Sequence, residues 1–281
     1  RIEAVAAALA VVEPYGSGLG GGGFFLMHRA FDSRDTFIDA RETAPDAATG
    51  DMYLDRNEKP VAELSLNGPL AAAIPGTPAA LEHITRLWGS MPLEKTLAPA
   101  IRLARYGFTA DEQLVSRIMV NAHRFSPAAS EVFVPGGRVP DVGQVIVQKD
   151  LANTLEKIAT FGARGFYDGV VAERLQRGVF NDGGIWSRED LRRYRVRERA
   201  PVRFNYRGHE IVTAPLPSAG GLALQQVLQT LEVLDWPPTD GAQARHQLVE
   251  SLRYAYRDRA IYLGDADFVR IPLQQLGSRE Y

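Results

Sequence analysis

Apolar residues recur at helical spacing over most of this chain and alternate over only short stretches. EAVAAALAVV, near the start, is Ala-rich and reads as a helix. Leu81, Ile84 and Leu87/Trp88 share one face of a helix opening at Pro78, whose fixed φ suits a first turn. Leu97, Ile101 and Ala104 mark another from Leu93 to Arg105, closed by Gly107. Thr109 or Asp111 can cap a third through Val120. Leu151, Leu155 and Ile158 face one way along Asp150 to Phe161, and Asp168 caps a helix through about Asn181. Ser187 with Asp190 has the spacing of a capping box for Ser187 to Tyr194. Leu222 to Leu234 is predicted helical, and Ala242 to Leu263 is predicted to be a buried helix ended by Gly264. The polar stretch Thr49 to Pro69 and the Pro- and Gly-rich stretch His123 to Asp141 read as loops.

Strand signals are fewer. Phe24 to Arg29 and Thr36 to Arg41 form an expected antiparallel hairpin around Ala30 to Asp35. Pro201 to Tyr206 and Glu210 to Ala214 form a second around Arg207-Gly208. About eight helices with two hairpins make an α+β chain. Isolated ribbons bury little and leave pairing edges, so the pattern predicts half of a sandwich that further strands complete.

Composition narrows the chemistry. A formal charge of −2 over 281 residues argues against a nucleic-acid or anionic-membrane partner. With no cysteine, a disulfide framework, a thiolate nucleophile and a thiolate zinc site are excluded. No apolar run approaches the roughly 20 residues that span a bilayer. The five histidines, His28, His83, His123, His209 and His246, have no ligand spacing, so no metal site is expected. Asp265-Ala266-Asp267 has the letters of a DxD metal motif but reads as a turn after a helix. The arginines from Arg188 to Arg199 are interleaved with Glu189, Asp190 and Glu198, which makes a mixed-charge solvated face. Ser218 lacks a GxSxG setting and reads as a helix cap.

Val11 to Pro45 carries the densest information. Gly16/Gly18/Gly21 and Gly18/Gly20/Gly23 both match GxGxxG, but a dinucleotide loop needs a strand before and a helix after. Here a helix precedes and FFLMHRA, strand-like, follows. The second strand then delivers Asp39, Arg41 and Glu42 before Pro45. A guanidinium at a strand end can present a planar fork to a carboxylate or phosphate. An ion pair with Asp39 or Glu42 is the plainer alternative.

VVEP, GSGLGGGGF and DARETAP together resemble the large subunit of γ-glutamyltransferases, members of the N-terminal nucleophile hydrolase superfamily. IPGTPAA (Ile74 to Ala80), MPLEKTLAPAIRLARYGF (Met91 to Phe108), GARGFYDG (Gly162 to Gly169), GGIWSREDLRRYRVRERAPV (Gly183 to Val202), APLPSAGG (Ala214 to Gly221) and YAYRDRAIYLGDADFV (Tyr254 to Val269) are similar in the same order. The resemblance spans essentially the whole chain.

It implies an αββα four-layer sandwich, residues 1–281 being the large-subunit portion of one domain whose other portion is a second chain, the small subunit cut from the same precursor. It also explains why no nucleophile and base pair is evident here: none of the catalytic residues is expected in this chain, since the nucleophile would be the small subunit's N-terminal threonine. Arg41 matches the family's substrate-binding arginine, which holds the α-carboxylate of γ-glutamyl compounds such as glutathione. No cofactor is implied. Gly20 to Gly23 would shape the floor of the site or the contact between subunits. The chain opens inside a helical pattern without a cap, as if a preceding segment were missing, and the family implies a periplasmic or secreted location. Two other readings stand beside this one: an acylase of the same superfamily acting on cephalosporin or glutaryl amides, and a non-catalytic α-rich interaction domain.

Overall fold

The computed structural model describes residues 1–237 and 239–281. Helices dominate and strands are short, so the chain is α+β. It forms two compact units, one of Arg1–Gly23 with Ala40–Val196 and one of Phe24–Asp39 with Arg197–Tyr281.

In the first unit, helices Ile2–Val12, Thr77–Trp88 and Lys149–Phe161 accompany Leu93–Tyr106. Ala7, Ala10, Ala100 and Ala104 are buried, and these small side chains let backbones approach. Val11, Leu81, Leu97, Leu155 and Ile158 fill the remaining space. Each such Leu or Ile contributes about 1.5–3 kcal/mol by leaving water. The buried Gln148 donates its side-chain amide to the Val11 carbonyl at 2.8 Å, which satisfies a helix end inside the core.

The expected stops and starts are present. Gly107 takes φ 96° after the helix Leu93–Tyr106. Asp111 accepts the Leu114 N–H at 2.8 Å, so Asp111 caps the third helix while Thr109 lies in a short strand. Asp168 caps Gly169–Asn181, and the Ser187/Asp190 capping box is complete. Two expected loops contain helices instead. Pro127–Phe133 starts with the Ser126 hydroxyl accepting the Ala129 N–H at 3.3 Å, and Ala62–Leu66 adds a short turn. A proline directly after a serine cap is a start signal, and reading Pro127 as a breaker hid it.

In the second unit, strands run in the order Gly23–Arg29, Arg34–Ala40, Arg197–Arg199. The third strand was not predicted. It pairs antiparallel through Phe37↔Arg199, Ile38↔Glu198 and Asp39↔Arg197, and its three charged residues carry no apolar alternation. Val202–Tyr206 and His209–Thr213 form the second hairpin, with Arg207 at φ 49° and Gly208 at φ 80° in its two-residue turn.

Helix Ala219–Val233 packs on Gly241–Tyr262 around Val227, Leu231 and Ala255. The latter helix departs from expectation. Only Ser251, Ala255 and Asp258 are buried along it, and Tyr254, Tyr256 and Ile261 are exposed, so its inward stripe is narrow. It ends at Tyr262, with an extended Leu263 ahead of Gly264.

The turn after it is tied down by charge. Arg199 donates two N–H groups to the Asp267 carboxylate, at 2.6 and 3.1 Å, and its Nε to Asp39 at 2.8 Å. Arg197 adds a pair to Asp267 at 2.8 Å. Hydrogen bonding from Arg199 is the main reason the Asp267 carboxyl titrates below its ordinary range. The DxD letters thus serve an ion-paired turn. No helix among the described residues is long and apolar enough to cross a membrane.

Candidate functional site

The glycine loop lies between helix Ile2–Val12, followed by the turn Pro14–Ser17, and strand Gly23–Arg29. That order leaves no helix N-terminus facing the glycines from the C-terminal side, so the loop is not a phosphate cradle of the dinucleotide type. Its work is steric. A Cβ on Gly22 would collide with the Ala40 carbonyl oxygen and lie 2.9 Å from the Glu42 nitrogen. Only a bare backbone fits there.

A second glycine closes the same segment from another quarter. A Cβ on Gly76 would strike both the Ala40 carbonyl oxygen and the Tyr194 hydroxyl. The Gly21 carbonyl joins the two loops by accepting Gly76 N–H at 2.9 Å, Thr77 N–H at 3.1 Å and the Thr77 hydroxyl at 3.1 Å. Thr43 and Ile74 exchange backbone hydrogen bonds at 3.2 and 2.8 Å. Residues 40–43 are therefore gripped through the main chain on both sides.

Two tyrosines complete the grip. The Tyr194 hydroxyl donates to the Arg41 carbonyl at 2.8 Å. Its ring stacks on Tyr167 with centroids 5.5 Å apart and planes 7° from parallel. Tyr167 in turn donates to the Pro75 carbonyl at 2.7 Å and accepts the Ala79 N–H at 3.3 Å. Burial, and secondarily the neighbouring Tyr194, push the Tyr167 phenol well above its ordinary pKa, so it stays a donor.

Three residues beyond Thr43, the chain is strapped again. One carboxylate oxygen of Asp190 accepts the Asp46 N–H at 2.8 Å, and the other takes the Ser187 N–H and hydroxyl, both at 2.7 Å. Burial raises this carboxyl, but the hydrogen bonds from Asp46 and Ser187 outweigh it and hold the pKa below the ordinary value.

On this rigid segment the Arg41 side chain is 58 % exposed, and its Nε donates to Glu42 at 3.0 Å. Of the two carboxylates the sequence offered as partners, Glu42 takes Arg41, while Asp39 is bonded to Arg199 within the second unit. The neighbouring ion pair orients the guanidinium without burying it. An exposed guanidinium on a fixed backbone is suited to recognising a carboxylate.

The other candidates have plainer roles. Ser218 accepts the Gly220 N–H at 3.3 Å as a helix cap. His28 is hydrogen-bonded to Asp35 at 2.7 Å, and Asp35 also pairs with Arg203. Among the described residues no group of three His, Asp or Glu side chains could hold a metal ion. Sequence reasoning located Arg41 and Asp190 but missed Gly76, Tyr167 and Tyr194 as partners of the Arg41 backbone. IPGTP flagged a rigid turn at Gly76, whereas a tyrosine bonding a distant carbonyl has no local signature.

Comparison with known proteins bears on the same elements. A family model described as gamma-glutamyltranspeptidase matches residues 3–281. A glutathione hydrolase proenzyme of Pseudomonas sp. strain A14 is 39% identical over 99% of this chain and 49% of its own length. That of Escherichia coli K12 is 38% identical over 99% of this chain and 49% of its own. The chain thus spans about half the length of these curated relatives. The crystal structure of Helicobacter pylori gamma-glutamyltranspeptidase superposes with a TM-score of 0.97 at 38% identity, covering all of this chain and 81% of that one.

Proposed function

The chain belongs to the γ-glutamyltranspeptidase family, and on that premise we propose that it is the large-subunit part of an enzyme that cleaves γ-glutamyl amides such as glutathione and passes the acyl group to water or an amine. The observation that carries this reading is Arg41, an exposed guanidinium on a backbone fixed by Gly22, Gly76 and Tyr194. Its fork binds the α-carboxylate of the γ-glutamyl donor, with Glu42 holding the Nε edge.

The nucleophile is the threonine at the start of a second chain cut from the same precursor. A threonine hydroxyl is a weak nucleophile, but a free α-amine on the same residue supplies a base within reach. The hydroxyl attacks the γ-carbonyl, backbone donors stabilise the tetrahedral oxyanion, and the leaving amine departs from an acyl-enzyme. Water or an acceptor amine then releases the γ-glutamyl group. This chemistry calls on no cofactor.

Two measurements test the reading. Intact mass and N-terminal sequencing of the native protein should find a companion chain beginning with threonine. With that protein, Arg41→Lys keeps the charge but loses the fork, so KM for a γ-glutamyl anilide should rise about 10-fold or more with a much smaller change in kcat. An unchanged KM overturns the assignment of Arg41. Turnover of a glutaryl amide in preference to the γ-glutamyl anilide moves the substrate to the acylase class.

A further inference from the structure

We infer that Tyr194 is a positioning residue for Arg41, a specificity element that acts through the arginine's main chain and touches no substrate itself. The inference rests on the carboxylate-binding role proposed for Arg41.

The Arg41 side chain is 58 % exposed and its Nε is held by Glu42, the next residue along, so the place of the fork follows the peptide that carries both residues. Around that peptide, the Ala40 carbonyl faces two glycines and the Arg41 carbonyl accepts the buried Tyr194 phenol. Tyr194 is 5 % exposed, and its stacking on Tyr167 fixes the ring's plane. Tyr167 is itself anchored to Pro75 and Ala79, next to the Gly76 that closes on Ala40. The hydroxyl of Tyr194 is thus the last link of a chain of contacts running from the helix Thr77–Trp88 to the carbonyl of the proposed binding residue.

Removing that hydroxyl and nothing else deletes the 2.8 Å hydrogen bond from Tyr194 to the Arg41 carbonyl. The peptide can then rotate toward another donor, and a rotation at the main chain is magnified at the tip of a long side chain. Misplacement of about 1 Å at a binding group is enough to cost large factors in productive binding.

The test is a double-mutant cycle in the processed, two-chain enzyme: wild type, Tyr194→Phe, Arg41→Lys and the pair, each with KM and kcat for a γ-glutamyl anilide. Tyr194→Phe retains the ring and its stack. It should raise KM about 5- to 20-fold with kcat changed less than about 3-fold, the loss of a neutral hydrogen bond and of fork alignment. In the pair, the Tyr194 effect should largely vanish, because the fork it aligns is already gone. A KM unmoved by Tyr194→Phe, or effects that multiply fully in the pair, overturns the inference. If Arg41→Lys alone leaves KM unchanged, the carboxylate reading fails instead, and the two failures are told apart within one data set. Thermal melts of all four proteins identify any loss of folded enzyme. If Tyr194→Phe does not fold, Tyr167→Phe, which keeps the stack but releases it from Pro75 and Ala79, should give the same KM-weighted pattern at smaller size, and a kcat-weighted loss there refutes the inference.

Discussion

Asp190 offers the most direct quantitative test of how residues 40–46 are held. Its two carboxylate oxygens receive three hydrogen bonds, from the Asp46 N–H, the Ser187 N–H and the Ser187 hydroxyl, all between 2.7 and 2.8 Å. Bonds to a charged acceptor are worth about 1.5–3 kcal/mol each. In Asp190→Ala the Ser187 hydroxyl can rotate to water, while the two backbone donors lose their partner in partly buried surroundings. The expected cost is about 2–4 kcal/mol. At about 2–4 °C per kcal/mol for a chain of this size, the melting temperature should fall by about 5–15 °C. Trp186, four residues away and donating to the Ala72 carbonyl, gives a fluorescence signal for the same region.

The sign of the pH dependence is fixed by the direction of the carboxyl's shift. Folding lowers the Asp190 pKa, so its contribution is complete above the unfolded value of about 4 and is lost as pH falls through the lower folded value. The difference in unfolding free energy between wild type and Asp190→Asn should be the same at pH 7 and pH 5.5 and smaller at pH 3. A destabilisation below about 1 kcal/mol, or a difference that grows toward acid, refutes the account.

Two further substitutions probe the remaining supports. Gly76→Ala places a methyl on the Ala40 carbonyl oxygen and the Tyr194 hydroxyl; because the first is backbone, the cost should be about 3 kcal/mol or more in urea unfolding, whereas Gly20→Ala, with nothing within 4 Å, should cost about 1 kcal/mol or less. Asp267→Asn removes the charge that pairs Arg197 and Arg199, and limited proteolysis should then cut faster in the segment 264–281, with cleavage elsewhere unchanged.

What the sequence revealed and what it concealed divide along the range of the interactions. Caps were legible because their chemistry closes within a few residues: Asp111, Asp168, Ser187 with Asp190, and Ser218 all bond N–H groups no more than three positions away. Arg41 could be singled out because it ends a strand beside a glycine run and stands in a recognisable motif. The edge strand Arg197–Arg199 was hidden because strand pairing is made by the backbone, and its side chains, all charged, alternate in nothing. The burial of Gly241–Tyr262 was overestimated for the opposite reason: its apolar residues suggested a core face, yet small or polar Ser251, Ala255 and Asp258 make the inward contact. The second oxygen of Asp190 illustrates the limit within a single residue. One half of its carboxylate serves the local capping box, and the other reaches Asp46, 144 positions away, a partner no spacing rule announces.

The grip on residues 40–43 also has a kinetic meaning. The Tyr194 hydroxyl reaches Arg41 across 153 positions, Tyr167 reaches Pro75 across 92, and Thr77 reaches Gly21 across 56. Contacts this distant form only after the intervening chain has lost its loop entropy, whereas the helices around them can nucleate locally. The expected order therefore puts the segment bearing Arg41 late in the folding of its unit. Weakening the grip should then leave the folding rate nearly untouched and speed unfolding instead. The place of the Arg41 guanidinium is therefore a product of the completed unit and not of its local segment.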